Sequence, residues 1–441
     1  MTLLSRVGTA ARGFFSSTLA VWIAFVLVHL WLGVLNLRPE GLPMGDVTYT
    51  YKFWVEQSLT NDYTVGIDGV FVYPIVALLP MFAAWVFGPD LYGSTWLCLV
   101  FVLDLVAFGV LTGWGFRRDR LVAAWWWVAF LLLLGPIALG RIDSITIPVA
   151  LIGMLLLATR PGAAGVLLAL ATWTKVWPAA LIGAIIVATR HRLAIIWTGL
   201  AVSVAVVAVA VLYGSGLNVF SFVTQQTGRG LQVEAPISTL WLWLAKAGIP
   251  DTFVYYDQGI LTYQIQGNGV DVASQVMTPV LAIVAALVVL TGLLATWRGA
   301  SAAQVLPPLA LALVTTLIAF NKVGSPQFVS WLAVPVVFGL VTARASRGVS
   351  FTVPAALVLT IAGLTQVLYP YLYPYLLGLD TLLLIAITLR NALYFVLLAW
   401  AVFTMWNLDP APPEAGDDSE PREVDADDSV WPFGTAERGK L

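Results

Sequence analysis

Charge is scarce in this 441-residue sequence: Asp, Glu, Lys and Arg together make up 10% of it, where a soluble globular chain carries about 25%. With 60% hydrophobic residues and a mean hydropathy of +0.89, that scarcity excludes a soluble globular protein. Cysteine is nearly absent. Cys98 stands alone, so neither a disulfide within the chain nor a cysteine-cluster metal site is available. Histidine is limited to His29, inside an apolar run, and His191, in a basic turn, and neither reads as a catalytic group. The sequence has no GxxxxGK[ST] phosphate loop, so an ATP-driven pump is not indicated. The net charge of −2 does not point to nucleic acid, and none is expected as a partner.

What remains is a series of long, continuous apolar runs. Each approaches the roughly 20 residues that cross ~30 Å of hydrocarbon as a helix. Lipid offers the backbone no hydrogen bonds, so continuous runs of this kind must be helical. The expected fold is therefore an all-α polytopic membrane protein. Spans are placed at about 15–37, 93–114, 121–139, 144–159, 161–174, 176–189, 193–213, 276–297, 303–320, 326–342, 350–369 and 380–406. The first of these is expected to stay as a span rather than be removed as a leader. The run FVYPIVALLPMFAAWVFG (71–88), with Pro74 and Pro80, is read as lying on or dipping into the outer face. With that choice Arg117, Arg118, Arg120, Arg160, Arg190, Arg192, Arg298, Arg344 and Arg347 fall on the same side as Arg6 and Arg12, which is the positive-inside pattern.

This places both termini in the cytoplasm of a cell bounded by this membrane. Two large segments, 38–92 and 214–275, lie outside. The expected domains are a membrane unit over 1–406 and a tail over 407–441, acidic, rich in proline and disordered.

The outer segments hold the residues that carry chemistry. In GDVTYTYKFW, Asp46 follows the first span. It reads either as a helix cap or solvated loop acid, or as a general base made more basic by nearby apolar surface. Tyr49, Lys52 and Phe53 are spaced for an interfacial helix. In GRIDS, Arg141 and Asp143 either close a hairpin as an ion pair or contact a substrate. In TWTKVWP, Lys175 sits between two apolar runs, each short for a span, at a depth where a lysine is costly. It either snorkels or meets an anion. In GRGLQVE, Gly228 and Gly230 flank Arg229 and let the backbone approach a ligand, and Glu234 follows. In FNKVGSPQFVSWL, Lys322 precedes a helix start with Ser325 as cap and Pro326 in the first turn, a place for a phosphate. Gln327 lies beside it as a further substrate contact. Three basic residues and at least one acid on one face suit a lipid-linked phosphate donor.

Taken in order, GDVTYTYKFW, FVYPIVALLP, GRIDSITIPVALIGMLLLA, AGVLLALATWTKVWPAALIGA and NKVGSPQFVSWL resemble glycosyltransferase family 87, over roughly residues 15–345. Tyr73-Pro74-Ile75 departs from the tyrosine and two prolines of many members. The resemblance implies a GT-C fold of about 12 transmembrane helices, with interfacial helices in the first outer loop. It implies a plasma-membrane enzyme with its active site outside. The donor would be a polyprenyl-phosphate sugar, mannose being favoured, and the acceptor an envelope glycolipid or lipoglycan. Asp46 would be the catalytic base, and Lys175, Arg229 and Lys322 would hold the donor phosphate. Tyr49, Lys52, Arg141, Asp143, Glu234 and Gln327 would contact substrate. Neither cofactor nor metal is called for.

The rival reading is a secondary transporter or flippase of a lipid-linked or polar solute. It would need charged residues deep in the spans. Asp104 and Arg390 are the two so placed, and either pair with each other or bind substrate.

Overall fold

The computed structural model describes residues 15–345 and 348–410. Arg6, Arg12, Arg347 and all but the first four residues of the acidic tail expected over 407–441 lie outside them.

Helix α1 (Thr18–Asn36) is capped by Ser17, whose side chain accepts from the Ala20 amide. A π-helical turn, Asp46–Tyr51, runs directly into α2 (Lys52–Thr60). The expected interfacial helix therefore exists and starts at Asp46. The run 71–88 holds only a 3-10 turn, Ile75–Ala77, and the six-residue α3 (Leu78–Ala83). Six residues rise about 9 Å, too little for a crossing. Leu79, Val86 and Phe87 remain exposed on this segment, as on a helix lying against lipid.

Helices α4 (Tyr92–Thr112), α5 (Leu121–Leu134), α6 (Asp143–Leu156), α7 (Pro161–Thr174), α8 (Ala179–Ala188) and α9 (Arg192–Leu212) follow. Gly113, at φ +54°, stops α4 in the left-handed conformation, which glycine adopts without strain. The segment 214–275, expected to lie outside, contains α10 (Ser221–Thr227), α11 (Thr239–Lys246) and the hairpin β1 (Phe253–Asp257) with β2 (Thr262–Gln266). These strands pair antiparallel with Tyr256 opposite Tyr263. The chain then returns through α12 (Val270–Trp297), α13 (Ala302–Ala319), α14 (Ala333–Ala345), α15 (Thr352–Leu368), the short α16 (Tyr373–Leu377) and α17 (Thr381–Trp406). Ser301 and Gln304 form a reciprocal capping box at α13, and Asp380 caps α17.

Each of the twelve expected spans corresponds to one apolar helix, from α1 to α17. Among the described residues, eight stretches have the length and hydropathy of a full span. The other four, α6, α7, α8 and α15, are shorter apolar helices. The protein is thus an all-α, multi-pass membrane protein with one small hairpin.

Successive helices alternate in direction, so the loops sort to two ends. At one end Arg344 reaches the Asp119 carbonyl, Thr18 the Gly115 carbonyl and Arg298 the Trp406 carbonyl. At the other, Arg141 reaches Pro43, Ser215 reaches Gly66, and Phe71 donates to Ser221. The first end carries Arg117, Arg118, Arg120, Arg160, Arg190, Arg192, Arg298 and Arg344. The second carries the candidate site.

The depth of that site follows from helix length. Helix α7 has 14 residues, rising about 21 Å at 1.5 Å per residue. It starts beside Arg160 at the arginine-rich end, so Lys175 at its far end stops short of a ~30 Å hydrocarbon layer.

Candidate active site

Arg141 is the hub. It lies in the turn between α5 and α6 and is 6% exposed. Its Nε donates to Gln327 Oε1 at 2.9 Å and lies 3.2 Å from Asp46 Oδ2. Its Nη1 donates to the carbonyls of Pro43 and Gly140, and its Nη2 to the Tyr369 hydroxyl at 2.7 Å. A guanidinium satisfied on every edge is fixed in place, and it fixes Asp46 in turn. The Asp46 side chain remains 41% exposed, open to a ligand. Burial disfavours charge on Arg141, but Asp46 and the surrounding phenols keep its proton affinity above the ordinary arginine value.

A second pair lies beside the first. Asp143, the first residue of α6, accepts from Lys175 Nζ at 2.7 Å and from Trp331 Nε1 at 2.5 Å. Lys175 caps α7 in an extended conformation. Its ammonium also faces the rings of Phe328, Tyr73 and Trp331 at 5.3, 5.5 and 5.8 Å, an aromatic cage around a cation. Arg141 and Asp143 therefore do not pair with each other, as a simple hairpin tie would require. Each reaches across to a different segment.

Tyrosines bridge the two pairs. The Tyr51 and Tyr73 hydroxyls lie 3.3 Å apart, and the Ile142 amide donates to Tyr51. Burial raises the pKa of both phenols, and the Asp46 charge adds to it. Arg229, in the loop after α10, lies within electrostatic reach of Tyr73. Burial lowers its pKa and Tyr73 opposes that shift. Its Nε is buried and, among the described residues, has no hydrogen-bond partner.

Other expected residues are placed differently. Glu234 is not paired at the surface. Its Oε2 accepts from Arg390 Nη1 at 2.6 Å, with both side chains 2% exposed. Arg390 therefore does not pair with Asp104, which instead meets His29 at 3.0 Å between α1 and α4. Gly230 leaves no room for a Cβ because the Gln264 side chain fills that space. Its close approach is to protein. Lys322 is 7% exposed, and burial lowers its pKa. Its carbonyl accepts from the Gln232 amide at 3.1 Å, and a Cβ on Gly324 would run into the backbone of Glu234 and Ala235. The two loops are sewn together there. The expected helix after Lys322 opens as a seven-residue 3-10 segment, Pro326–Leu332, and Ser325 makes no side-chain cap. Tyr49 is 64% exposed. Among the described residues, no hydrogen bond or ion pair ties Tyr49 or Lys52 to the cluster.

Tyr51, Tyr73, Trp331 and Tyr369 are site residues that the sequence reading passed over. YPYLYPYL (369–376) offered a signal in its repeated tyrosines, and SPQFVSWL placed Trp331 four residues after Gln327. Among the described residues, no three His, Cys, Asp or Glu side chains converge as a metal site.

This geometry sits on a segment with a family assignment: residues 71–245 match the profile of glycosyltransferase family 87. Over that segment the chain is similar to glycosyltransferase family 87. It is a membrane glycosyltransferase, acting on a sugar donor and an acceptor. The matched segment contains Tyr73, Arg141, Asp143, Lys175, Arg229 and Glu234; Asp46, Lys322, Gln327 and Tyr369 come from flanking sequence and fold back onto it. No curated protein and no solved structure gives a match.

Proposed function

We propose that this protein transfers a sugar, mannose being favoured, from a polyprenyl-phosphate donor to a glycolipid or lipoglycan acceptor. The site faces the outside of the plasma membrane and both termini face the cytoplasm. The observation that carries the reading is the pairing of opposite chemistries in one cluster. A half-exposed carboxylate, Asp46, is held by Arg141 beside Tyr51 and Tyr73; Lys175 faces the Tyr73 ring, and Arg229 is within electrostatic reach of Tyr73.

Asp46 takes the proton of an acceptor hydroxyl. The oxygen attacks the anomeric carbon, the carbon–oxygen bond to phosphate breaks, and polyprenyl phosphate leaves with inversion. A general base contributes about 10²–10⁴-fold. The leaving group is already a phosphate, so fixed positive groups in a site shielded from water lower the barrier further. Lys175 is partly neutralised by Asp143, whereas Arg229 has, among the described residues, an unfilled donor. Arg229 is therefore the principal phosphate ligand, with Lys175 and Lys322 setting the surrounding potential. Arg141, Asp143 and Gln327 hold the base and the donor cradle in register, and Tyr49 and Lys52 lie at the mouth. The arginines gathered at the opposite end support the orientation. A site that lies below the lipid surface, as the short helix leading to Lys175 places it, suits a donor whose phosphate sits at the head of a membrane-embedded chain.

The test is a transfer assay in detergent, where transport has no meaning. Purified protein is given radiolabelled polyprenyl-phosphate sugars singly, with a membrane lipid extract. Label entering a glycolipid from one of them supports the reading. Silence with every donor overturns it and favours the transporter.

A further inference from the structure

The hydroxyls of Tyr51 and Tyr73 form a chain with a direction. Tyr51 accepts from the Ile142 amide at 3.4 Å, and its oxygen lies 3.3 Å from that of Tyr73. Tyr51 is 1% exposed, whereas Tyr73 keeps part of its surface open. Were Tyr73 the donor of the pair, the Tyr51 proton would be buried without an acceptor, which is costly. The bonds therefore run from the amide to Tyr51 and from Tyr51 to Tyr73. Burial dominates the rise of both phenol pKa values. Among the smaller causes, the shared hydrogen bond raises Tyr51 and lowers Tyr73, as donor and acceptor require. The proton of Tyr73 then has, among the described residues, no acceptor.

The Tyr73 ring is fixed. Tyr51, Trp54 and Phe71 meet it edge to face, with centroids 6.0, 6.2 and 5.7 Å away. Lys175 Nζ lies 5.5 Å from its centroid. An ammonium over a phenol ring draws electron density from it and makes the O–H a better donor. Arg229 and Asp46 are both within electrostatic reach of Tyr73. The free O–H thus stands in the field of the base and of the phosphate ligands alike.

We propose that Tyr73 is a further catalytic residue, its O–H donating a hydrogen bond to the oxygen that joins the anomeric carbon to phosphorus, and that Tyr51 is the positioning residue that aims it. The inference rests on the polyprenyl-phosphate reading of the site and deepens it. The carbon–oxygen bond breaks with its electron pair left on that oxygen, the acceptor's proton goes to Asp46, and Tyr73 keeps its own. Burial, with the Asp46 charge, holds the phenol proton tightly, and a phosphate leaving group needs none. The hydrogen bond strengthens as charge grows on the oxygen, so it favours the transition state and the product over the bound donor.

The test starts from binding and needs no turnover. Polyprenyl phosphate, the product in which that oxygen is charged, is titrated calorimetrically into full-length wild type, Tyr73→Phe and Tyr51→Phe in detergent. Tyr73→Phe keeps the ring against Lys175 and should bind roughly tenfold more weakly. Tyr51→Phe should lose less, and the double variant should match Tyr73→Phe alone, because Tyr51 acts through Tyr73. In the transfer assay Tyr73→Phe should lower kcat by about 10–10²-fold, with KM for the donor near wild type. Equal affinity of wild type and Tyr73→Phe for polyprenyl phosphate, no binding by either, or an unchanged kcat overturns the proposal. A hydroxyl that only supports the fold would lower the unfolding midpoint and leave that affinity intact. Losses that add in the double variant would remove Tyr51 from the chain. The transferase reading itself fails differently, by silence of the wild type with every donor.

Discussion

At the scale of single residues, the site is a set of charges that satisfy one another across the chain. Such pairs are costly to break. Removing one partner of a buried ion pair leaves an unpaired charge, at about 3–5 kcal/mol. Glu234→Ala should therefore lower stability by about that amount through Arg390, read as an earlier thermal unfolding midpoint in detergent. Asp46 is half exposed, so Asp46→Asn should unfold within a degree or two of wild type. Lys322 supplies a pH dependence. Burial lowers its pKa, so it loses its charge at a lower pH than an ordinary lysine as pH rises. Donor affinity should then fall on the alkaline side, and Lys322→Arg, which stays charged, should extend the plateau upward. Identical profiles for the two would remove Lys322 from the phosphate site. The sequence made the charged residues visible because they are rare in an apolar chain. It did not reveal their pairing, since Asp46 with Arg141 and Glu234 with Arg390 join distant segments. The aromatic members were hidden for the opposite reason: with 12% aromatic residues, Tyr51, Tyr73, Tyr369 and Trp331 look like any interfacial ring.

At the scale of elements, short helices and tight loops place these residues. Continuous apolar runs between basic turns were enough to locate every long helix, because hydrocarbon length and backbone satisfaction leave few alternatives. The 3-10 segment at Pro326–Leu332 has the sequence of an ordinary helix start, because proline after serine signals both. The contact between the loops at 231–235 and 322–325 was invisible, since Gly324 reads as a mere break until the backbone of Ala235 is found against it. Gly324→Ala should force those loops apart at a cost of about 1–3 kcal/mol, carrying Lys322 and Glu234 with them. Its expected signature is at least a tenfold loss of kcat/KM with the membrane bundle still folded. Wild-type turnover would show that the two loops do not need this contact.

At the scale of the whole molecule, the two ends of the bundle differ in chemistry, and their sidedness is testable. With the exposed Cys98 replaced by alanine, Asp90→Cys should react with an impermeant maleimide on intact cells and Arg118→Cys only after lysis. Labelling of both from outside would overturn the orientation. The central claim is that Asp46, held by Arg141, is the base of a lipid-linked sugar transfer. The most direct measurement compares wild type with Asp46→Asn for transfer of label from polyprenyl-phosphate sugar into glycolipid, with donor binding measured on the same samples. Transfer should fall by at least about 10²-fold while donor affinity stays near wild type. Turnover close to wild type in the Asn variant would contradict it.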